Sequence, residues 1–284
     1  MLEPDYRDPT DEERSEFMDK VTSRDGTQIA LDRLGDGPPV IVVGGAMCDR
    51  ALTGPTAEEL AKHFTVLNYD RRGRGDSGDT GPYALEREIE DIGALIVEAG
   101  RSASVYGHSS GAGLALRAAA YGLPIDRLVL HEPPYNTDGE EEQRISREYA
   151  LDLEALLSEG RRGDAVELFF TTVGMPREMV GGMRQTPRWA ELEAMAPTLA
   201  YDSEIMGASA GGTLPAELTG RVSTETLVLV GGASPAWTID IGRQVADALP
   251  NGQHRVLEGQ EHVVPPEVLV PVLAEFFAGR NKPD

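Results

Sequence analysis

Apolar positions change their period several times along the chain, and each change marks an element. "QIALDRLG" at 28–35 alternates apolar and polar as a half-buried strand does. "PPVIVVGGAM" at 38–47 is a continuous apolar run ending in glycines, which suits a strand buried on both faces. "TAEELAKHF" predicts a helix, "TVLNYD" a strand, "ALEREIEDIGALIVEAG" an amphipathic helix and "ASVYGHS" another strand. "GAGLALRAAAYG" predicts a helix of small residues stopped by Gly122, and "IDRLVLHEPP" a strand after it. Strands alternating with helices of this length imply right-handed crossovers, hence an α/β fold with a mostly parallel sheet flanked by helices.

The alternation stops near residue 136. "EEEQRISREYALDLEALLSEGRRGDAVELFF" and "PRWAELEAMAPTLAYDSEIMG" have helical spacing with no strand between them. "ETLVLVGG", "IDIGRQVADALP", "QHRVLEG" and "PEVLVPVLAEFFAG" then restore strand and helix. The predicted organisation is an α/β core over 20–135 and 218–284, with a helical cap over 136–217 inserted after the sixth strand, above the carboxyl edge where open sheets bind ligands. Residues 1–19, polar, charged and proline-containing, are expected to be a flexible arm.

Charge narrows the chemistry. Across 284 residues, 48 acidic and 26 basic side chains give a net charge of -22, the opposite of the clustered cations that hold nucleic acid or an anionic membrane surface, so neither partner is expected. The lysines are Lys20, Lys62 and Lys282, and none follows a phosphate-loop glycine pattern, which removes most support for Schiff-base and nucleotide-loop chemistry. No His-x-x-x-His or Cys-x-x-Cys pair exists to chelate zinc, and no cofactor is expected. The lone Cys48 cannot form an internal disulfide, the acidic start lacks the parts of a signal peptide, and no apolar run approaches the ~18 residues of a spanning helix. A cytoplasmic location is the expectation.

One short stretch carries the chemistry. Gly107-His108-Ser109-Ser110-Gly111 matches G-x-S-x-G with a predicted strand before it and a predicted helix after it. That context places a serine hydroxyl exposed on a sharp turn, with the helix N-terminus favouring developing negative charge. "GRGDSG" at 73–78 fits a dinucleotide glycine pattern, but no long amphipathic helix opens on it, so it reads as a turn. Cys48 lacks any such turn and reads as a small buried hydrophobe.

The sequence resembles the α/β-hydrolase superfamily over roughly residues 21–280, in its serine esterase-like branch. "VVGG" at 42–45 looks like the family's strand and oxyanion loop, "YDRRGRGDSG" at 69–78 like its glycine-serine turn, and "EGQEHVVPPEVL" at 258–269 like its terminal histidine loop. The resemblance implies Ser109 as nucleophile and His262 as base, in the chain order serine, acid, histidine. The acid departs from the commonest pattern, because Ser234 in "LVLVGGASPAW" occupies its expected position. Glu132, ending the strand after the elbow helix, is the first candidate, since some members of the superfamily supply the acid there. Asp202 is the second. The oxyanion donors implied are the backbone N–H groups of Ser110 and Ala46, or Met47 if the loop register slips.

The function expected is cleavage of a medium-sized apolar ester, thioester or lactone through an acyl-enzyme, with a small apolar acyl compound as partner. Two alternatives stay open: a non-hydrolytic small-molecule binding protein, in which Ser234 marks a decayed triad, and an auxiliary enzyme of secondary metabolism that cyclises or transfers acyl groups. Aspartate-elbow chemistries on epoxides and haloalkanes are disfavoured by the serine at 109. Phe169, Phe170, Met175, Met179, Met183, Trp189, Leu192, Met195 and Tyr201 read first as core of the inserted helices and second as lining of an adaptable apolar pocket.

Overall fold

Eight strands form one sheet in the computed structural model, which describes residues 18–279. They are β1 (Met18–Thr22), β2 (Gln28–Leu34), β3 (Pro39–Val43), β4 (Thr65–Tyr69), β5 (Ala103–His108), β6 (Ile125–His131), β7 (Thr226–Gly231) and β8 (Gly252–Leu257), in the spatial order β1-β2-β4-β3-β5-β6-β7-β8. The first two pairings, β1 with β2 and β2 with β4, are antiparallel. Every later pairing is parallel, so the six strands β3 to β8 deliver their carboxyl ends to one edge.

Alternation along the central strands builds two layers of core. In β3, Ile41 and Val43 join one apolar cluster while Val40 and Val42 join the other, as the period of two demands. The first cluster receives α2 (Leu85–Glu98), the small-residue α3 (Ser110–Tyr121) and α10 (Ala236–Ala248); the second receives α1 (Arg50–Leu60) and α11 (Pro266–Phe277). Gly122, φ 95°, ends α3 in the left-handed conformation expected of a stop.

Between β6 and β7 the chain runs through α4 (Glu140–Ser158), α5 (Arg162–Thr172), α6 (Arg177–Met183), α7 (Arg188–Met195), α8 (Thr198–Met206) and α9 (Ala216–Thr219). This insertion has an apolar cluster of its own, in which Leu153, Trp189, Leu192, Met195 and Leu199 are buried together with Met47 from the loop after β3. Phe169, Phe170, Met175 and Met183 pack against it, and Met179 is exposed. Tyr201 does neither: it stacks on Tyr83 and donates to Asp79 at 2.6 Å. The two ends of the insertion are tied where Asn136 N–H donates to the Gly212 carbonyl at 2.8 Å.

Three expectations need correction. Met18 and Asp19, assigned to the arm, begin β1, because they pair with Asp32 and Leu31 at the edge of the sheet; residues 1–17 of that arm lie outside the described residues. The helix read over "TAEELAKHF" starts earlier, at Arg50, because the Asp49 carboxylate caps it by accepting from Leu52 N–H at 2.9 Å, and Pro55 is carried inside it. It also stops at Leu60, which leaves His63 in the following turn rather than in a helix.

Candidate active site

Parallel pairing puts the ends of β5 and β6 side by side. His108 is the register partner of His131, so the residues that follow them, Ser109 and Glu132, leave adjacent strands at the same level. Both have positive φ, 55° at Ser109 and 45° at Glu132, a conformation that costs a non-glycine residue of order 1–3 kcal/mol and survives only where the surroundings impose it. Here the sheet imposes it: Ser109 N–H donates to the His131 carbonyl and Glu132 N–H to the Leu229 carbonyl, each at 2.9 Å. Gly107 and Gly111 permit the turn by close approach. A Cβ on Gly111 would stand 2.3 Å from the Val43 carbonyl oxygen, and one on Gly107 2.5 Å from the Gly111 oxygen.

Glu132 is buried, and both of its oxygens are used. Oε2 meets His262 Nδ1 at 2.5 Å. Oε1 accepts from Gly231 N–H at 2.7 Å and from the Ser234 hydroxyl at 2.6 Å. Ser234, standing where the commonest pattern has an acid, therefore donates to the carboxylate that follows β6. Burial opposes ionisation of Glu132, but the hydrogen bonds from His262, Ser234 and Gly231 outweigh it and hold the carboxyl down at about 2. A carboxylate on Nδ1 keeps the His262 proton there and leaves Nε2 free to accept one.

His262 lies after β8 with its side chain 48% exposed, and its ring packs 4.5 Å from that of His108, the residue just before Ser109. His108 Nε2–H donates to the His262 carbonyl at 3.0 Å, so the elbow itself holds the loop that carries the imidazole. No hydrogen bond joins the Ser109 hydroxyl to His262 among the described residues. Behind them His131 is buried and its Nδ1 is 2.8 Å from the Tyr106 hydroxyl. Burial and the neighbouring His262 push His108 down to about 4, and burial pushes His131 below its ordinary value, so both are neutral near pH 7.

The loop after β3 closes the other side. A Cβ on Gly45 would lie 3.0 Å from Ser109 Cβ and 3.6 Å from its Oγ, so this backbone passes directly against the serine. Ala46 follows it, and its N–H has no partner within the protein among the described residues. Ser110 is the first residue of α3, where an amide has no intrahelical acceptor. Met47 has φ 56° and is buried in the apolar cluster of the insertion.

Asp202, the second candidate acid, lies elsewhere. It is buried between Arg71 Nη1 and Arg74 Nη2, each at 2.8 Å, and accepts from Ser110 Oγ at 2.7 Å, with no contact to His262. Burial works against its charge, but the two guanidinium groups and Ser110 hold its carboxyl below the usual range. Arg71 also grips Glu88 through Nε and Nη2, at 2.8 and 2.9 Å. Sequence reasoning missed this network and the stacked histidines. A visible signal existed: "DRRGR" sets three arginines directly after an apolar strand in a strongly acidic chain.

A model of the alpha/beta hydrolase family matches residues 40–268. Among solved structures, an alpha/beta hydrolase from Sphaerobacter thermophilus is 52% identical, with a TM-score of 0.81 over 91% of this chain and 100% of that one. A thermophilic esterase from Thermogutta terrifontis, solved with malate bound, is 25% identical, with a TM-score of 0.69 over 93% and 98%. N-formylmaleamate deformylase from Pseudomonas putida is 34% identical over 142 residues, 49% of this chain and 53% of that protein. The chain spans about half the length of the curated relatives it matches. The elbow, the strand order and the match over most of its length agree: the chain belongs to the alpha/beta hydrolase family.

Proposed function

We propose that the protein is a serine hydrolase that cleaves an ester, thioester or lactone of a medium-sized apolar acid through an acyl-enzyme on Ser109. Ser109 Oγ attacks the acyl carbon while His262 Nε2 takes its proton; Glu132 holds the ring and stabilises the imidazolium. The oxyanion is received by the N–H groups of Ala46 and Ser110. His262 then protonates the leaving group as its bond to the acyl carbon breaks. Water, deprotonated by His262, attacks the acyl-enzyme; the acyl–Oγ bond then breaks as His262 returns the proton to Ser109 Oγ, and the carboxylic acid departs. The inserted helices act as the cap that covers this edge.

The observation that carries this reading is the 2.5 Å contact of Glu132 with His262 Nδ1, one strand away from a serine held at positive φ. It also argues against a binding protein with a decayed triad, since that alternative stood on a missing acid. Reaction with a fluorophosphonate probe tests the reading: labelling is expected at Ser109, lost in Ser109→Ala, with parallel loss of p-nitrophenyl ester hydrolysis. A folded wild-type protein that resists the probe and cleaves no ester contradicts it. A second reading, cleavage of an N-formyl amide, is favoured by the 34% identity to the Pseudomonas putida deformylase. Formate release from N-formyl amides, against acid release from esters, separates the two.

A further inference from the structure

Two buried guanidinium groups reach the loop that faces Ser109. Arg74 Nη1 donates to the Gly45 carbonyl at 2.5 Å, and Arg71 Nη1 to the Gly44 carbonyl at 3.4 Å. The Gly45 carbonyl and the Ala46 N–H belong to one peptide unit, which is planar and trans, so the two groups point in opposite directions. A cation fixed on that carbonyl therefore sets the direction of that N–H and, by polarising the peptide, makes it a stronger donor.

Asp202 fixes the cations. Its Oδ1 takes Arg71 and its Oδ2 takes Arg74, while Ser110 Oγ, at the head of α3, donates to Oδ1. One carboxylate from α8 of the insertion thus joins the peptide before Ala46 to the residue after the nucleophile. The charges also balance: two buried guanidinium groups, Arg71 and Arg74, face two buried carboxylates, Glu88 and Asp202. Buried ions of this kind are tolerated only when fully paired, so losing either carboxylate unbalances the whole cluster.

We infer that Asp202 is a positioning residue for the oxyanion hole, aligning the Ala46 and Ser110 amides through Arg74, Arg71 and the Ser110 hydroxyl and so making the reaction depend on the seating of helix α8. The inference rests on the reading of Ser109 as the nucleophile and of those two amides as its oxyanion donors. It goes further in giving the insertion a part in the chemistry itself, apart from any contact with substrate.

The test compares wild type, Asp202→Asn and Arg74→Lys in ester hydrolysis and in binding of an alkylboronic acid, which becomes anionic on the serine and needs the oxyanion donors. For Asp202→Asn, kcat is expected to fall about 10²-fold, as when one oxyanion donor is lost, with KM nearly unchanged and boronate affinity falling in step with kcat. Arg74→Lys, which keeps the charge but not the fork spanning Asp202 and Gly45, is expected to behave alike and stands in if Asp202→Asn does not fold. A fall in kcat with boronate affinity intact, or unchanged kinetics in both variants, overturns the inference while probe-labelled wild type keeps the hydrolase reading. An unlabelled wild-type Ser109 removes both.

Discussion

Glu132 shows how much one carboxylate can be asked to do. It sits at φ 45°, accepts from a backbone amide and a hydroxyl on one oxygen, and faces an imidazole with the other. Replacing it by Gln keeps the size but removes the charge that, in the proposed mechanism, stabilises the imidazolium. Glu132→Gln is expected to lower kcat by about 10²–10⁴, the range spanned by losing a general base or its acid partner, with little change in KM; steady-state kinetics check it. The same side chains set the acid limit of stability. Unfolded Glu132 binds a proton below its ordinary value of 4.5 and the folded one only below about 2, so its contribution is full above 4.5 and lost as pH falls through 2. His108 acts in the same sense at higher pH: between 6.5 and about 4 the unfolded chain holds the proton and the folded one does not. Stability is therefore expected to decline as pH drops from 6.5 towards 4, with buried His131, also held below its ordinary value, adding to the decline, and His108→Gln is expected to make it shallower in thermal melts taken across the interval. An equally steep decline in the variant counts against His108 as the source.

At the scale of elements, the elbow is set by two glycines for steric reasons, a constraint that Gly181 in the insertion lacks. Gly111→Ala would drive a methyl into the Val43 and Gly44 carbonyls, so it is expected to destabilise by several kcal/mol and to abolish activity, or to yield no folded protein. Gly181, inside α6, has nothing within 4 Å of a built Cβ; Gly181→Ala is expected to stabilise by about 1 kcal/mol through helix propensity alone. Chemical denaturation of the two variants decides both. Elements of this kind were legible in the sequence where their pattern was strong. The runs of β3, β5, β6 and β7 announce buried strands, and α3 shows its small-residue face and its Gly122 stop. The "MDKVT" strand was not legible, because an edge strand with two apolar residues has no distinctive period. The start of α1 was hidden by Gly54 and Pro55, which punctuate loops more often than helix interiors. Ser109, His262 and Glu132 could be named as candidates because a turn, a terminal loop and a strand end mark them. The link from Asp202 to Arg71 and Arg74 spans about half the chain, and no local spacing encodes it.

For the whole molecule, charge and connectivity pull in opposite directions. A net charge of -22 makes the folded chain repel itself, while its exposed ion pairs, such as Arg144 with Glu141 and Glu148, contribute little. Repulsion should win, so Tm is expected to rise as ionic strength goes from about 0.01 M to about 0.15 M, where the Debye length shrinks from about 30 to about 8 Å. A fall in Tm over that range would show that surface pairs dominate. The candidate site is spread over neighbouring strands: Ser109 follows β5, Glu132 β6, Ser234 β7 and His262 β8.

That arrangement leaves two chain positions able to trade one duty. Ser234 and Glu132 already share a hydrogen bond at 2.6 Å, so exchanging them, as Glu132→Ser with Ser234→Asp, would reverse donor and acceptor while keeping an anion in the same small volume. The double variant is expected to recover activity that Glu132→Ser alone loses. A lineage could thus shift its acid from one strand to the next in two substitutions, passing through an ancestor with two acids or with none.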